Sequence, residues 1–231
     1  MTLTAKDRLA RSLWVLGDLD GARQLQEEAL IGRRHILGLE DRDTLTSMSE
    51  LGVTLWRQGH FLDARKLQEE TLERQRRVLG TEDPHTLTSM NNLAETLIDC
   101  DDLPCARRLH EEVLTVRSRV LGEEDPKTLI SMNNLGETLR AKGDLAEARR
   151  VHGKALVGRR HVLGEEHPDT TLSARNLFST LHDMGDREAA QAILDKHLVW
   201  LLRRDPATLG AQQRAIQRFL LSLPAQGYRI E

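Results

Sequence analysis

The sequence repeats itself every 42 residues, and a chain built that way must stack each copy against the next. Gly17, Gly59, Gly143 and Gly185 fall in one register, with Asp101 in the slot between Gly59 and Gly143. Gly38, Gly80, Gly122 and Gly164, each after a leucine, form a second series. Thr2, Thr44, Thr86, Thr128 and Thr170 form a third. Three markers in one register point to stacked supersecondary units rather than a single closed core. The phrases TLTSMNNLAETL (86–97) and TLISMNNLGETL (128–139) also keep their polar positions, including an adjacent pair of asparagines. Packing alone would keep only the leucines.

Each unit reads as two helices. Leu87, Met90, Leu93, Ala94 and Leu97 recur at three- and four-residue steps and make one apolar stripe. Asp83-Pro84, Asp125-Pro126 and His167-Pro168 supply a capping acceptor, followed by a proline whose missing N–H costs nothing at the first helical position. A second helix follows, as from Leu145 to Leu163, and Gly164 suits a left-handed position after its end. Gly52, Ala94 and Gly136 share one phase, and Ala22, Ala64, Ala106 and Ala148 another. These are places where two helices of a hairpin approach closely. The units fall at about 2–43, 44–85, 86–127, 128–169 and 170–205, with a capping helix at 206–222 and a tail at 223–231. In the cap, Gln212, Gln213, Arg214, Gln217 and Arg218 would cover the last apolar face while meeting water.

Composition excludes several function classes. Charged residues make up 30% and aromatics 3%, and the formal net charge of −3 gives no general attraction to nucleic acid or an anionic membrane. The first residues interleave charges with apolar side chains, unlike a signal peptide. No apolar run approaches the ~20 residues of a membrane-spanning helix. Cys100 and Cys105 make neither a disulfide framework nor a four-ligand zinc pattern. The expectation is a cytoplasmic protein with reduced thiols, no cofactor, and neither nucleic acid nor membrane as partner. Asp99, Asp101 and Asp102 fit no calcium loop and read as solvated acids of a turn. His110 and His152 share a slot with Gln26 and Gln68 and read as a polar edge rather than metal ligands. Arg33-Arg34, Arg76-Arg77 and Arg159-Arg160 sit where cations favour a helix C-terminus. No phosphate-binding glycine loop, nucleophile elbow or HExxH motif is present, and no enzyme is expected.

The stretch NNLGETLRAKGDLAEARRVHGKAL (133–156) resembles the tetratricopeptide repeat in its small first-helix residue, its Gly-Asp turn and its second-helix alanine. The usual unit has about 34 residues, so this one is longer, and with its NNLA and VLG…HP phrases it is similar to the kinesin light chain subclass. The departures are Asp101 at the turn glycine, Phe178 at the small residue and a short fifth unit. The resemblance implies an all-α, right-handed superhelical solenoid of antiparallel helix hairpins with a C-terminal capping helix. It also implies a non-catalytic protein-interaction module, in which the matching asparagine commonly contacts ligand. Relatives that capture a C-terminal carboxylate place lysines where this chain has Ser49, Asn91 and Asn133, so that ligand is disfavoured.

In such a solenoid the first helices line a concave groove. The face opposite the apolar stripe places Asn92, Asn134 and Asn176 in one row, with Asn91 and Asn133 beside it. A carboxamide both donates and accepts, so it can hold the backbone of an extended partner peptide. The alternative is that these asparagines brace one unit against the next. Glu95, Glu137, Arg57, Arg140 and Arg175 vary between units on the same face, as selectivity residues would. Trp14 and Trp56 share a phase and either anchor an apolar ligand side chain or pack at a turn. The rival function is a self-associating structural or regulatory array acting through its ends or convex face. Leu3, Leu9, Leu13 and Trp14 at the N-terminal edge are its candidate contact, and Lys6 and Arg8 would oppose it.

Overall fold

The structure, a computed structural model, describes residues 2–223 and 227–229. Among them are eleven α-helices and no strand: α1 Leu3–Leu16, α2 Leu19–Ile36, α3 Arg42–Arg57, α4 Phe61–Val78, α5 Pro84–Asp99, α6 Leu103–Leu121, α7 Pro126–Lys142, α8 Leu145–Leu163, α9 Pro168–Asp183, α10 Arg187–Ile193 and α11 Ala211–Ser222. Residues 1–113 and 114–231 form two compact units. Part of the tail expected at 223–231, namely 224–226 and 230–231, lies outside the described residues.

Local chemistry sets the helix boundaries. Asp83 and Asp125 each accept the N–H two residues on, at 2.8 Å, with proline at the first helical position. His167 does the same for Asp169 through Nδ1 at 3.2 Å. Between the helices of a hairpin, Gly17, Gly59, Gly143 and Gly185 take φ of 87°, 81°, 84° and 76°. Asp101, in the odd slot, is held in the same left-handed region at φ 60°. Gly164 ends α8 at φ 87° but ψ 168°, so the expected left-handed helical geometry is replaced by a mirror-extended one that is essentially glycine-only.

In the first unit, α1 packs on α2, α2 on α3, α3 on α4 and α4 on α5. A core cluster there joins Leu45, Met48, Leu51 and Leu55 of α3 to Leu30 and Ala64. In the second unit, α7 packs on α8, α8 on α9 and α9 on α10. Leu129, Met132, Leu135 and Leu139 of α7 meet Ala148, Val151 and Ala155 of α8. These are the residues of the expected stripe and of the close-approach phase.

The C-terminal end departs from the repeat. After Ile193 the chain passes through a π-helical turn, Leu194–Leu198, and a 3-10 turn, Val199–Arg203. Phe178 occupies the small-residue slot here, buried against the rings of Phe219 and Tyr228 at 5.8 and 5.0 Å. Asp205-Pro206 starts only a 3-10 turn, and the capping helix begins later than expected, at Ala211, after Gly210. α11 packs on α9 and closes the core with Ile216 and Leu220. Gln213 and Gln217 are buried rather than wet. Gln213 donates to Glu166 O at 2.9 Å, and Gln217 to Leu201 O at 2.7 Å and Arg204 O at 2.9 Å, tying α11 to the loop before α9 and to the 3-10 turn.

Candidate peptide-binding cleft

Second helices are tied to the following first helices by a polar constellation that recurs in the repeat. Arg33 of α2 donates to Asp7 of α1 (3.0 Å to Oδ1) and to Ser47 of α3. Arg159 of α8 donates to Ser173 Oγ (2.9 Å) and Asp169 O (2.8 Å) of α9. Asn133 of α7 donates to the same Ser173 hydroxyl at 3.0 Å and to Leu129 O at 3.1 Å. Arg117 makes the corresponding bond to Ser131 Oγ at 2.8 Å. The hydrogen bond that Arg33 donates to the Asp7 carboxylate raises the pKa of Arg33, whereas burial lowers those of Arg117 and Arg159, whose bonds to Ser131 and Ser173 go to neutral acceptors. Three of these arginines are thus pins between hairpins. Arg33 does stand in the last turn of α2, as read, and pins as well; Arg159 lies ahead of the last turn of α8, so its helix-end role is corrected to that of a pin.

The asparagines divide into two groups. Asn133 braces, as above, and Asn91 and Asn176 are likewise buried, so none of the three faces an open groove. They lie at the margin of the apolar stripe, and the hydroxyl of Ser173 on α9 meets Asn133 there. Asn92 and Asn134 stay half-exposed.

Most of the expected selectivity residues also make contacts within the chain. Arg140 donates to Asp183 at 2.8 Å and to Glu137 at 3.0 Å. Arg175 stacks over Phe219 at 5.6 Å. Glu95 lies 3.9 Å from the buried His110. Trp56 donates its indole N–H to Asp99 at 2.5 Å and packs on the α3–α4 core. Exposed Arg57 lies over the Trp14 ring at 4.2 Å. Asp102 pairs with Arg65 at 3.3 Å. Asp99 and Asp102 of that turn therefore have structural partners, and among the described residues no group of three or more His, Cys, Asp or Glu could hold a metal ion. His110 and His152 are not a polar edge. Both are fully buried, and His152 lies over the small-residue slot, where a Cβ on Gly136 would be 2.2 Å from its Nε2. His152 Nδ1 shares a hydrogen bond with Thr180 Oγ1 at 2.9 Å.

One open cavity of about 550 Å³ lies in the first unit, along α1, α3 and α5. Trp14, Val15 and Val53 form apolar wall, and Asn92 and Thr88 line it from α5. Arg11 and Glu50, paired at 2.6 Å, stand at its side. Gln26 and Gln75 reach it from the second helices, both buried, and the Oε1 of each has no hydrogen-bond partner. Sequence reasoning found Trp14 and Asn92 but missed the two glutamines. The signal was present. The slot of residues 33, 75, 117 and 159 reads Arg, Gln, Arg, Arg, and fourteen residues on every unit has serine (Ser47, Ser89, Ser131, Ser173). At the N-terminal edge, Leu9 is 44% exposed where Leu51, in the same slot, is 6% exposed. Lys6 there is paired with Glu28 at 2.6 Å.

The tetratricopeptide repeat model matches residues 1–77, 53–99, 85–160 and 133–198, which together run through nearly all of the hairpins. The chain belongs to the tetratricopeptide repeat family. Among solved structures it is similar to a Podosopora anserina chain of nearly identical TPR-like repeats assigned to a kinesin light chain. That match has 26% identity and a TM-score of 0.76, covering 94% of this chain and 96% of that one. BtubC (BKLC) from P. vanneervenii matches at 24% identity and a TM-score of 0.73, over 96% of this chain and 80% of that one. YrrB, described as a TPR protein with an unusual peptide-binding site, shares the fold at 18% identity and a TM-score of 0.55, over 96% of this chain and 90% of that one. No match was found among curated proteins. The fold is thus a kinesin light chain-like array of TPR hairpins, a scaffold for protein interaction. No helix among the described residues is long and apolar enough to cross a membrane.

Proposed function

We propose that this TPR protein is a non-catalytic binding module that holds an extended peptide segment of a partner protein in the cleft along α1, α3 and α5. The observation that carries this reading is the cleft itself, about 550 Å³ of space with apolar walls and a half-exposed carboxamide at Asn92. Packed helices stand roughly 8–10 Å apart and an extended peptide advances about 3.3 Å per residue. A strand crossing the three first helices thus meets one about every third residue. Asn92 can pair with its C=O and N–H without demanding a particular side chain. YrrB's described peptide-binding site, on the same fold, supports this use of a TPR array.

Selection of random peptides on the intact chain, followed by titration, tests the proposal. Asn92→Ala removes hydrogen bonds worth about 0.5–1.5 kcal/mol each, and weakens binding about three- to tenfold without loss of helicity. Val53→Arg, which fills the cleft, abolishes binding. Peptides that bind both variants as well as the parent would move the site elsewhere on the molecule.

A further inference from the structure

The polar constellation that pins hairpins together is truncated once, and the truncation lies in the cleft. Around Arg33 its members are Asp7 and Ser47, and around Arg159 they are Asn133 and Ser173. The corresponding residues in between are Ser49, Gln75 and Ser89. Serine replaces the aspartate or asparagine, glutamine replaces the arginine, and both are shorter. Ser49 and Ser89 share a hydrogen bond at 3.2 Å, and neither hydroxyl reaches Gln75 Oε1. Gln75 is 1% exposed and Gln26 5% exposed; the Oε1 of each is unpartnered, and both line the cleft together with Ser49. A buried carbonyl oxygen without a donor is costly, and proteins leave few of them. Here two open onto one cavity, beside a slot that elsewhere in the same chain is filled by a guanidinium.

We propose that the bound segment supplies the missing group: an arginine side chain of the partner enters the cleft and puts its guanidinium where Arg33 and Arg159 stand in their own hairpins. Its N–H groups are donors for Gln75 Oε1, with Gln26 Oε1 as the further acceptor of the cavity. Its aliphatic stem runs along Trp14 and Val53, and Glu50, which already neutralises Arg11, adds a carboxylate at the side. The planar five-donor fork suits several fixed acceptors in a half-dry site better than the compact, strongly hydrated lysine ammonium. The inference rests on the cleft being the peptide site and adds the side chain that it selects.

The test uses the full chain and displayed random seven-residue peptides, with the selected sequences then synthesised. Peptides whose binding is lost on Val53→Arg are expected to carry one arginine at a fixed position. Replacing it by lysine, which keeps the charge but loses the fork, weakens them at least tenfold, and replacing it by isosteric, uncharged citrulline, which keeps the plane and part of its N–H donors, weakens them less. Gln75→Arg fills the slot from within the chain, bonding Ser89. It lowers affinity at least tenfold and leaves the melting temperature equal or higher. If that variant does not fold, Gln75→Met, which removes the acceptor at similar length, is expected to give the same loss. Cleft-directed peptides without arginine, or affinities indifferent to Gln75→Met, overturn the inference and leave the cleft reading standing. Selected peptides indifferent to Val53→Arg, or a library that yields no binder, overturn both.

Discussion

The slot occupied by Gln26, Gln68, His110 and His152 shows how one residue position carries a constraint that polarity alone misreports. All four side chains are buried, and Gln68 and His152 lie over the glycines, Gly52 and Gly136, that their partner helices carry there. A histidine there must stay neutral, and burial pushes the pKa of His110 down from 6.5 to about 4. The unfolded chain therefore binds a proton that the native one does not, across the interval between those values. A depressed native pKa gives stability that is present above the unfolded pKa and lost as pH falls through the interval. Stability should thus drop between about pH 6.5 and pH 4, by up to about 3 kcal/mol for His110 alone, and level off below. Urea unfolding at closely spaced pH values measures the slope. His110→Gln, which copies the residue at Gln26 and Gln68, should flatten it. A slope that the substitution leaves unchanged would assign the acid sensitivity to other groups.

At the scale of the element, the turns inside the hairpins test what glycine contributes. Four of the five carry glycine at positive φ, and the fifth holds Asp101 at φ 60°. A non-glycine residue in this region costs on the order of 1 kcal/mol, less for Asp than for most because its side chain bonds locally. Asp101→Gly should accordingly raise stability by up to about 1 kcal/mol, read as a shift in the urea midpoint at constant m-value. A decrease would mean that the Asp101 side chain does structural work of its own. These turns, the Asp-Pro starts and the leucine stripes were legible in the sequence because their causes lie within a few residues of chain. What was not legible depends on a neighbouring element. Asn133 and Asn176 looked exposed on a helical wheel, yet both are buried, and Ser173 of the next first helix meets Asn133. Arg159 looked like a helix-end cation, yet Ser173 and Asp169 O receive it. Gln75 became informative only once its slot elsewhere proved to hold a pin. The start of α11 at Ala211 likewise follows from the 3-10 turns before it, which no helical period announces.

At the scale of the whole molecule, the repeat predicts how damage spreads. Each hairpin of an array draws its stability from its own packing and from its nearest neighbours, so a lesion is felt locally before it is felt globally. Leu93 of α5 and Leu135 of α7 occupy the same slot and are 4% and 5% exposed, one in each compact unit. Either Leu→Ala change deletes a buried isobutyl group and should cost roughly 2–5 kcal/mol in the region that holds it. Hydrogen exchange should then show weakened protection in α4 and α5 for Leu93→Ala, and in α7 to α9 for Leu135→Ala. The far hairpins should keep most of theirs. Thermal circular dichroism should start from the parent's helicity but follow a broader, less cooperative transition, because one part now melts before the rest. Equal loss of protection in every helix would make the chain a single cooperative body and refute nearest-neighbour coupling. A cost below about 0.5 kcal/mol at both sites would refute the burial of the stripe. The same measurement bears on binding. The proposed cleft is built wholly from residues of the first unit, so Leu93→Ala should weaken peptide capture by lowering the folded fraction of that region. Leu135→Ala, with its lesion in the other unit, should leave capture near the parent value at temperatures below either transition.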